Sequence, residues 1–314
     1  MRVAINGYGR VARALISHWE ELESPPNIVL VRNSSHQWRG ENFQGQSLME
    51  EHTKLDQLED LKIDCWFELT PAREDEAKEI HTQLMELTDK GVSLIIANKV
   101  PLLYDYKALK DSADKNRVLL GLSGVLGAAL PSQALVHYGT LGSKIISMEA
   151  ILNGTTNFIL TAMEEGLSFE EALKKAQEMG IAETDPIRDI QGFDSAIKMA
   201  LLASVVRNQN IFFEKEDVQG IKGISLKRIE EEKINGRRLR LVASFRNEKV
   251  KVELKSYTMD HGFYHTKGSQ KALMLETSQL SQILLVGGDS GLKEVAASLH
   301  RDLLWIEEIQ NLTR

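Results

Sequence analysis

The sequence predicts an α/β fold in which a doubly wound parallel sheet is followed by a second, α+β domain. Short apolar runs alternate with helical patterns as far as residue 122, and a glycine-rich turn separates the first run from the first helical pattern. Beyond about residue 132 the alternation gives way to a block of helices and then a block of strand-like segments.

Residues 2–6, 27–31, 63–69, 92–98 and 118–122 are the apolar runs. Runs this short and this uniformly apolar suit strands buried on both faces, as in a parallel sheet between two layers of helices. Helical periodicity fills residues 11–20, 74–90 and 108–116, the alternation expected of repeated strand–helix–strand units. In the second block, residues 144–152 read as a strand and residues 155–165, 168–179 and 193–207 as helices. Ser168 with Glu171 three residues on fits a capping box, in which each side chain satisfies a backbone N–H at the helix start. Residues 239–245, 250–259, 271–276 and 282–286 follow as strands, read as antiparallel. After Gly287-Gly288-Asp289-Ser290-Gly291 a last helix is predicted over 292–303, and its pattern alone does not say which domain it joins.

Composition narrows the function. A 314-residue chain that is 42% hydrophobic has enough apolar side chains for two ordinary cores. Acidic residues outnumber basic ones 45 to 38, a net charge of -7, so a nucleic acid would be met by an opposing field and none is expected as a partner. No apolar run approaches the roughly 20 residues of a bilayer span and no signal-like region opens the chain, so a cytoplasmic protein without membrane attachment is expected. Cys65 is the sole cysteine. It excludes internal disulfides and thiolate clusters, reads as core filler, and leaves no metal site expected.

The first candidate site is Gly7-Tyr8-Gly9-Arg10-Val11-Ala12, between the first strand and first helix. This is the G-x-G-x-x-A turn of Rossmann-type dinucleotide folds: Gly7 permits the tight turn, Gly9 lets backbone approach a pyrophosphate, and Ala12 allows close helix–strand packing. The second strand runs into Arg32-Asn33-Ser34-Ser35, without the carboxylate that would hold a ribose 2′-hydroxyl. Arg32 could fork onto a 2′-phosphate, with Arg10 or Arg39 helping. NADP is therefore the favoured cofactor, NAD remains open, and the alternative for Arg32 is a solvated loop residue.

The second candidate site lies in residues 176–198. A helix ends near Gly180, a polar loop carries Glu183, Asp185 and Asp189, and a new helix places Asp194 and Lys198 one turn apart. The apolar continuation Met199-Ala200-Leu201-Leu202-Ala203 marks that helix as buried. Lys198 is then either a paired or functional lysine on a buried helix, or half of a surface ion pair.

This stretch resembles the signature of homoserine dehydrogenases, matching at Ala176, Gly180, Asp185, Pro186, Asp189, Gly192, Asp194 and Lys198. Ala97-Asn98-Lys99 and Asn153-Gly154-Thr155-Thr156-Asn157 resemble two further motifs of that family. Glu68-Leu69-Thr70-Pro71 is similar to the strand end that flanks the nicotinamide, and residues 287–302 resemble the turn and helix that return to the nucleotide domain. The resemblance implies a nucleotide domain of residues 1–132 with 288–314, and a catalytic and dimerisation domain of 133–287 forming a homodimer through its sheet. It implies cofactor contacts at Thr70, Asn98 and Lys99, and substrate contacts at Glu183, Asp189 and Asp194. Lys99 and Lys198 match the family's active-site lysines. One of them exchanges a proton with the substrate oxygen, with Lys198 preferred and Lys99 polarising or orienting that oxygen. A reductase of another amino-acid semialdehyde and a non-catalytic dinucleotide sensor remain open.

Two departures stand out. Where family members carry Glu eight residues before the linker proline, here Pro131, this chain has Ser123, which puts a sodium site in doubt. No aspartate kinase segment precedes residue 2 and no ACT domain fits after residue 303, so feedback by threonine through such a domain is not expected.

Overall fold

The structure, a computed structural model, describes residues 1–52 and 55–313. In chain order its first elements are β1 (Arg2–Asn6), α1 (Arg10–Glu20), β2 (Asn27–Arg32), β3 (His36–Arg39), β4 (Glu50–Glu51), β5 (Cys65–Glu68), α2 (Ala77–Asp89), β6 (Ser93–Ile96), α3 (Val100–Lys115), β7 (Leu120–Gly121) and α4 (Ser123–Leu126). There follow α5 (Ser132–His137), β8 (Ile145–Ile151), α6 (Gly154–Glu164), α7 (Phe169–Glu178), α8 (Ile187–Ile190), α9 (Phe193–Arg207) and α10 (Leu226–Ile234). The chain ends through β9 (Arg237–Arg246), β10 (Lys249–Thr258), β11 (Lys271–Thr277), β12 (Gln282–Gly287) and α11 (Leu292–Thr313). It forms two compact units, one of Met1–Ala128, Asn208–Asn210 and Leu292–Arg314, the other of Ala129–Arg207 and Ile211–Gly291.

Among the described residues, the first unit holds a seven-stranded sheet in the order β4-β3-β2-β1-β5-β6-β7. The pairings of β2 with β1, β1 with β5, β5 with β6 and β6 with β7 are parallel, as predicted. The sheet is not wholly parallel, however: β3 and β4 add an antiparallel edge. The cause is the turn at Asn33, whose Oδ1 accepts from the backbone N–H of Ser35 (2.8 Å) and His36 (2.7 Å). A side chain that closes so tight a turn sends the chain straight back, leaving no length for a crossover.

Alternation along the strands sorts the two faces. Val3, Ile5, Cys65 and Phe67 pack with Ala12, Leu15, Ile16 and Trp19 of α1 and with Ala296, Leu299, Leu303 and Ile306 of α11. Asn6, Trp66 and Glu68 consequently point to the opposite face. The last helix thus belongs to the first unit, and it runs ten residues past the predicted end. Helix α3 begins at Val100 rather than 108, with Pro101 in its first turn where a missing N–H costs nothing. It is broken at Asp105 (φ -161°, ψ 83°), and the Asp105 carboxylate accepts the Ala108 N–H (2.9 Å), capping the second half. The sequence pattern detects that second half alone.

The second unit carries a five-stranded sheet, again among the described residues, ordered β10-β9-β8-β11-β12 and antiparallel throughout. Helices α9 and α10 pack on β9, and α9 is apolar nearly all round, burying Ala196, Met199, Ala200, Leu201, Leu202 and Ala203. The predicted capping box at Ser168 and Glu171 is present at the start of α7. Helices α4, α5, α8 and α10 were not expected from the sequence; the first three have only four to six residues.

Candidate functional site

In the first unit the candidate nucleotide site sits at the carboxyl ends of β1 and β5, where the strand order reverses and ligands of open α/β sheets bind. Gly7 has φ +105°, and a Cβ there would lie 2.5 Å from the Leu69 carbonyl carbon, so both its conformation and the approach of the β5 strand end require glycine. A Cβ at Gly9 would meet no protein atom within 4 Å, so packing within the protein does not exclude a side chain there. Helix α1 starts at Gly9 with no side-chain cap, which leaves its amino end to a ligand or solvent. An open glycine at an uncapped helix start fits a pyrophosphate. Tyr8 packs edge-on against Phe43 and under Arg13, while Arg10 is exposed and Val11 half-buried.

Arg32 is 7% exposed and ends β2, so the reading of it as a solvated loop residue is overturned. Its Nε donates to Gln37 Oε1 (3.1 Å) and its guanidinium lies 5.8 Å from the Trp66 ring. Burial lowers its pKa and the Glu68 carboxylate partly restores it. Glu68, 1% exposed, is a site residue the sequence reading did not assign a role. Its Oε2 accepts from Asn6 Nδ2 (2.8 Å) and Trp66 Nε1 (3.3 Å), and its Oε1 from the Thr70 backbone N–H (3.3 Å) and the Thr70 hydroxyl. Burial pushes its carboxyl above the usual range against these bonds. Asn98 extends the chain of contacts: its Nδ2 donates to Thr70 Oγ1 (3.0 Å) and its Oδ1 accepts the Val100 N–H (3.0 Å) at the start of α3. Lys99 is the N-cap residue of that helix.

In the second unit Asp189, Asp194 and Lys198 come together around Asn153. Lys198 Nζ lies 2.7 Å from Asp194 Oδ2 and also donates to the Leu152 carbonyl (3.3 Å). The Asn153 amide donates to Asp189 Oδ1 (2.6 Å) and Asp194 Oδ2 (2.9 Å), while its Oδ1 accepts the Thr156 N–H and caps α6. The side chains of Asp194 and Lys198 are 10% and 21% exposed, so this is not the solvated surface pair that periodicity left open. Burial works against the Lys198 charge, but Asp194, with help from Asp189, holds its pKa above the ordinary lysine value. Burial, reinforced by Asp194, raises the Asp189 carboxyl. Glu183 is exposed on the loop after α7, its carbonyl accepting from Gln177 Nε2 (3.2 Å). Asn153 was legible only as part of a motif, because its partners lie 36 and 41 residues away.

At the departure noted for Ser123, its backbone N–H and hydroxyl donate to Asp302 Oδ2 (2.9 Å) and Oδ1 (2.6 Å) on α11. The neighbouring residue Arg301 donates to the Ala128 carbonyl (2.8 Å).

The homoserine dehydrogenase family pattern matches residues 131–304. A homoserine dehydrogenase of Methanocaldococcus jannaschii is 34% identical over 257 residues, 82% of this chain and 76% of that one. A crystal structure from Archaeoglobus fulgidus assigned as a homoserine dehydrogenase superposes with a TM-score of 0.84 at 28% identity, covering 98% and 99% of the two chains. A hyperthermophilic archaeal homoserine dehydrogenase solved in complex with NADPH shares the fold, with a TM-score of 0.79 at 23% identity over 96% of each chain.

Proposed function

The chain belongs to the homoserine dehydrogenase family, and from that premise we propose how its residues divide the family reaction, the NAD(P)-dependent interconversion of L-homoserine and L-aspartate 4-semialdehyde. A bound nicotinamide dinucleotide supplies or takes up the hydride. The Gly7 to Ala12 turn and the start of α1 hold its pyrophosphate, and Thr70, Asn98 and Lys99 face its nicotinamide end. NADP is preferred, because the end of β2 offers the positive Arg32 and no carboxylate to a ribose 2′-phosphate.

Asp189, Asp194 and Glu183 hold the substrate's ammonium group, and Lys198 moves the proton. The observation that carries this is the 2.7 Å Lys198–Asp194 pair, with the raised lysine pKa that results. At neutral pH Lys198 is an ammonium, ready to protonate the aldehyde oxygen as hydride arrives. In the oxidative direction it must first lose its proton, so homoserine oxidation speeds up at alkaline pH. Lys99 polarises or orients the same oxygen. A spectrophotometric assay with homoserine and each cofactor tests the reading. Lys198→Ala is expected to lower the rate by roughly 10²- to 10⁴-fold, the usual worth of a general acid–base group, with NADP affinity unchanged. A variant with near-wild-type rate and pH profile would leave Lys198 as an ion-pair partner alone.

We also place the protein in the cytoplasm as a homodimer formed through the second unit's sheet. Leu284 and Val286 of the edge strand β12 are 42% and 40% exposed, an apolar edge that a second copy would cover. Sedimentation velocity reads the state directly, and a monomer at micromolar concentration would refute it.

A further inference from the structure

Glu68, together with the Asn6 carbonyl, uses up the hydrogen-bond donors of the strand end that follows it. The Leu69 N–H goes to the Asn6 carbonyl (2.7 Å), the Thr70 N–H goes to Glu68 Oε1 (3.3 Å), and Pro71 has none. The Thr70 hydroxyl proton also goes to Glu68, which obliges Thr70 Oγ1 to accept from Asn98 Nδ2 (3.0 Å). The remaining Asn98 N–H points to the Pro71 carbonyl (3.4 Å). Residues 69–71 therefore present hydroxyl and carbonyl oxygens and no unspent N–H, beside the Gly7 turn against which the Leu69 carbonyl carbon lies. A carboxylate is the one side chain of this size that can do this. It accepts at both oxygens, whereas an amide in its place would point an NH₂ either at the Thr70 hydroxyl or at the donors Asn6 and Trp66.

We propose that Glu68 is a positioning residue that makes this strand end an acceptor-only wall, so that it selects the donor side of the nicotinamide carboxamide, its NH₂ group, and thereby fixes which way the ring is turned. The inference rests on the reading that Thr70 and Asn98 face the cofactor. An apolar residue at position 68, or an amide whose NH₂ turns towards Thr70, frees the Thr70 hydroxyl proton, gives the wall a donor, and removes the preference.

The test is calorimetric binding, without substrate, of NADP and of its 3-acetylpyridine analogue, which has a methyl group in place of the NH₂. In Glu68→Gln the ratio of the two dissociation constants is expected to move about tenfold towards the analogue, the scale of one hydrogen bond lost at a buried site. Thr70→Val should move the ratio alike, and Thr70→Ser should keep the wild-type ratio. Equal weakening of both ligands by Glu68→Gln, or no change, overturns the proposal. A ratio that moves in Thr70→Val while holding in Glu68→Gln sinks the role of Glu68 and leaves Thr70 as a cofactor contact. A wild-type ratio in Thr70→Val removes that contact, and the proposal with it. Should Glu68→Gln not fold, Glu68→Met takes its place with the same two outcomes, since it too removes the acceptor of the Thr70 hydroxyl proton.

Discussion

Asn153 carries no charge, yet it stands between two carboxylates and donates to both. Asn153→Ala removes that bridge and leaves Asp189 and Asp194 facing each other with one donor fewer apiece, at a cost of about 1–3 kcal/mol. Homoserine KM should rise about tenfold, with a smaller fall in kcat, because binding of the ammonium is what the bridge organises; the KM–kcat split checks it. Asp302 gives a pH signature of the opposite origin. Burial raises its pKa to about 6 against the Ser123 hydrogen bonds, from 3.8. Its protonated form is therefore favoured in the folded state, and that contribution is complete below pH 4 and lost as pH rises through 6. The difference is worth about 3 kcal/mol. Denaturant midpoints of the wild type measured against Asp302→Asn should show the advantage of the acid shrinking between pH 4 and 7; a constant difference would refute the assignment. Residues of this kind were the least legible in the sequence. The i,i+4 spacing of Asp194 and Lys198 is a local signal, whereas Glu68 meets Asn6 across 62 positions and acquires its role only when β1 and β5 pair.

Elements were legible in proportion to how they are buried. Strands β1, β2, β5 and β6 lie inside and read as apolar runs, and their identity followed from burial on both faces. Strands β3 and β4 form an edge, are short and largely polar, and carry no such pattern. Helix α10 buries only Ile229 and Glu232, too few positions to draw a stripe. In α3 the break at Asp105 leaves a first piece, Val100 to Tyr104, too short to draw a helical stripe. That break is held from several sides: His81 Nε2 lies 2.8 Å from the Asp105 carbonyl, and Asn210 Nδ2 donates to the Asp105 carboxylate (2.9 Å). Asp105→Ala should destabilise the protein by about 1–2 kcal/mol, as for other lost N-caps. Hydrogen exchange should quicken first at Ala108 and its neighbours, and unchanged protection there would count against the cap.

For the whole molecule, the sequence pattern conveyed the two-part architecture and the family resemblance the return of the last helix, but neither pointed to the excursion of residues 208–210. The path passes from one unit to the other after Ala128, Arg207, Asn210 and Gly291, and the last of these crossings brings the first sheet its covering helix α11. A chain ended at residue 291 loses Ala296, Leu299, Leu303 and Ile306 from the first core. Leu299, Leu303 and Ile306 are each worth roughly 2–5 kcal/mol, in sum comparable to a domain's whole stability. We expect that truncation to abolish NADP binding and cooperative melting, and a soluble fragment with a normal melting transition would contradict it.

The same interleaving has a consequence during synthesis. As the ribosome proceeds from the amino end, all the strands of the nucleotide sheet emerge early, but the apolar face that α1 shares with α11 stays unfinished until residues 292–306 have been made. The first half to be translated is thus among the last to mature, and throughout elongation it presents a greasy, partly clothed surface of the kind chaperones hold.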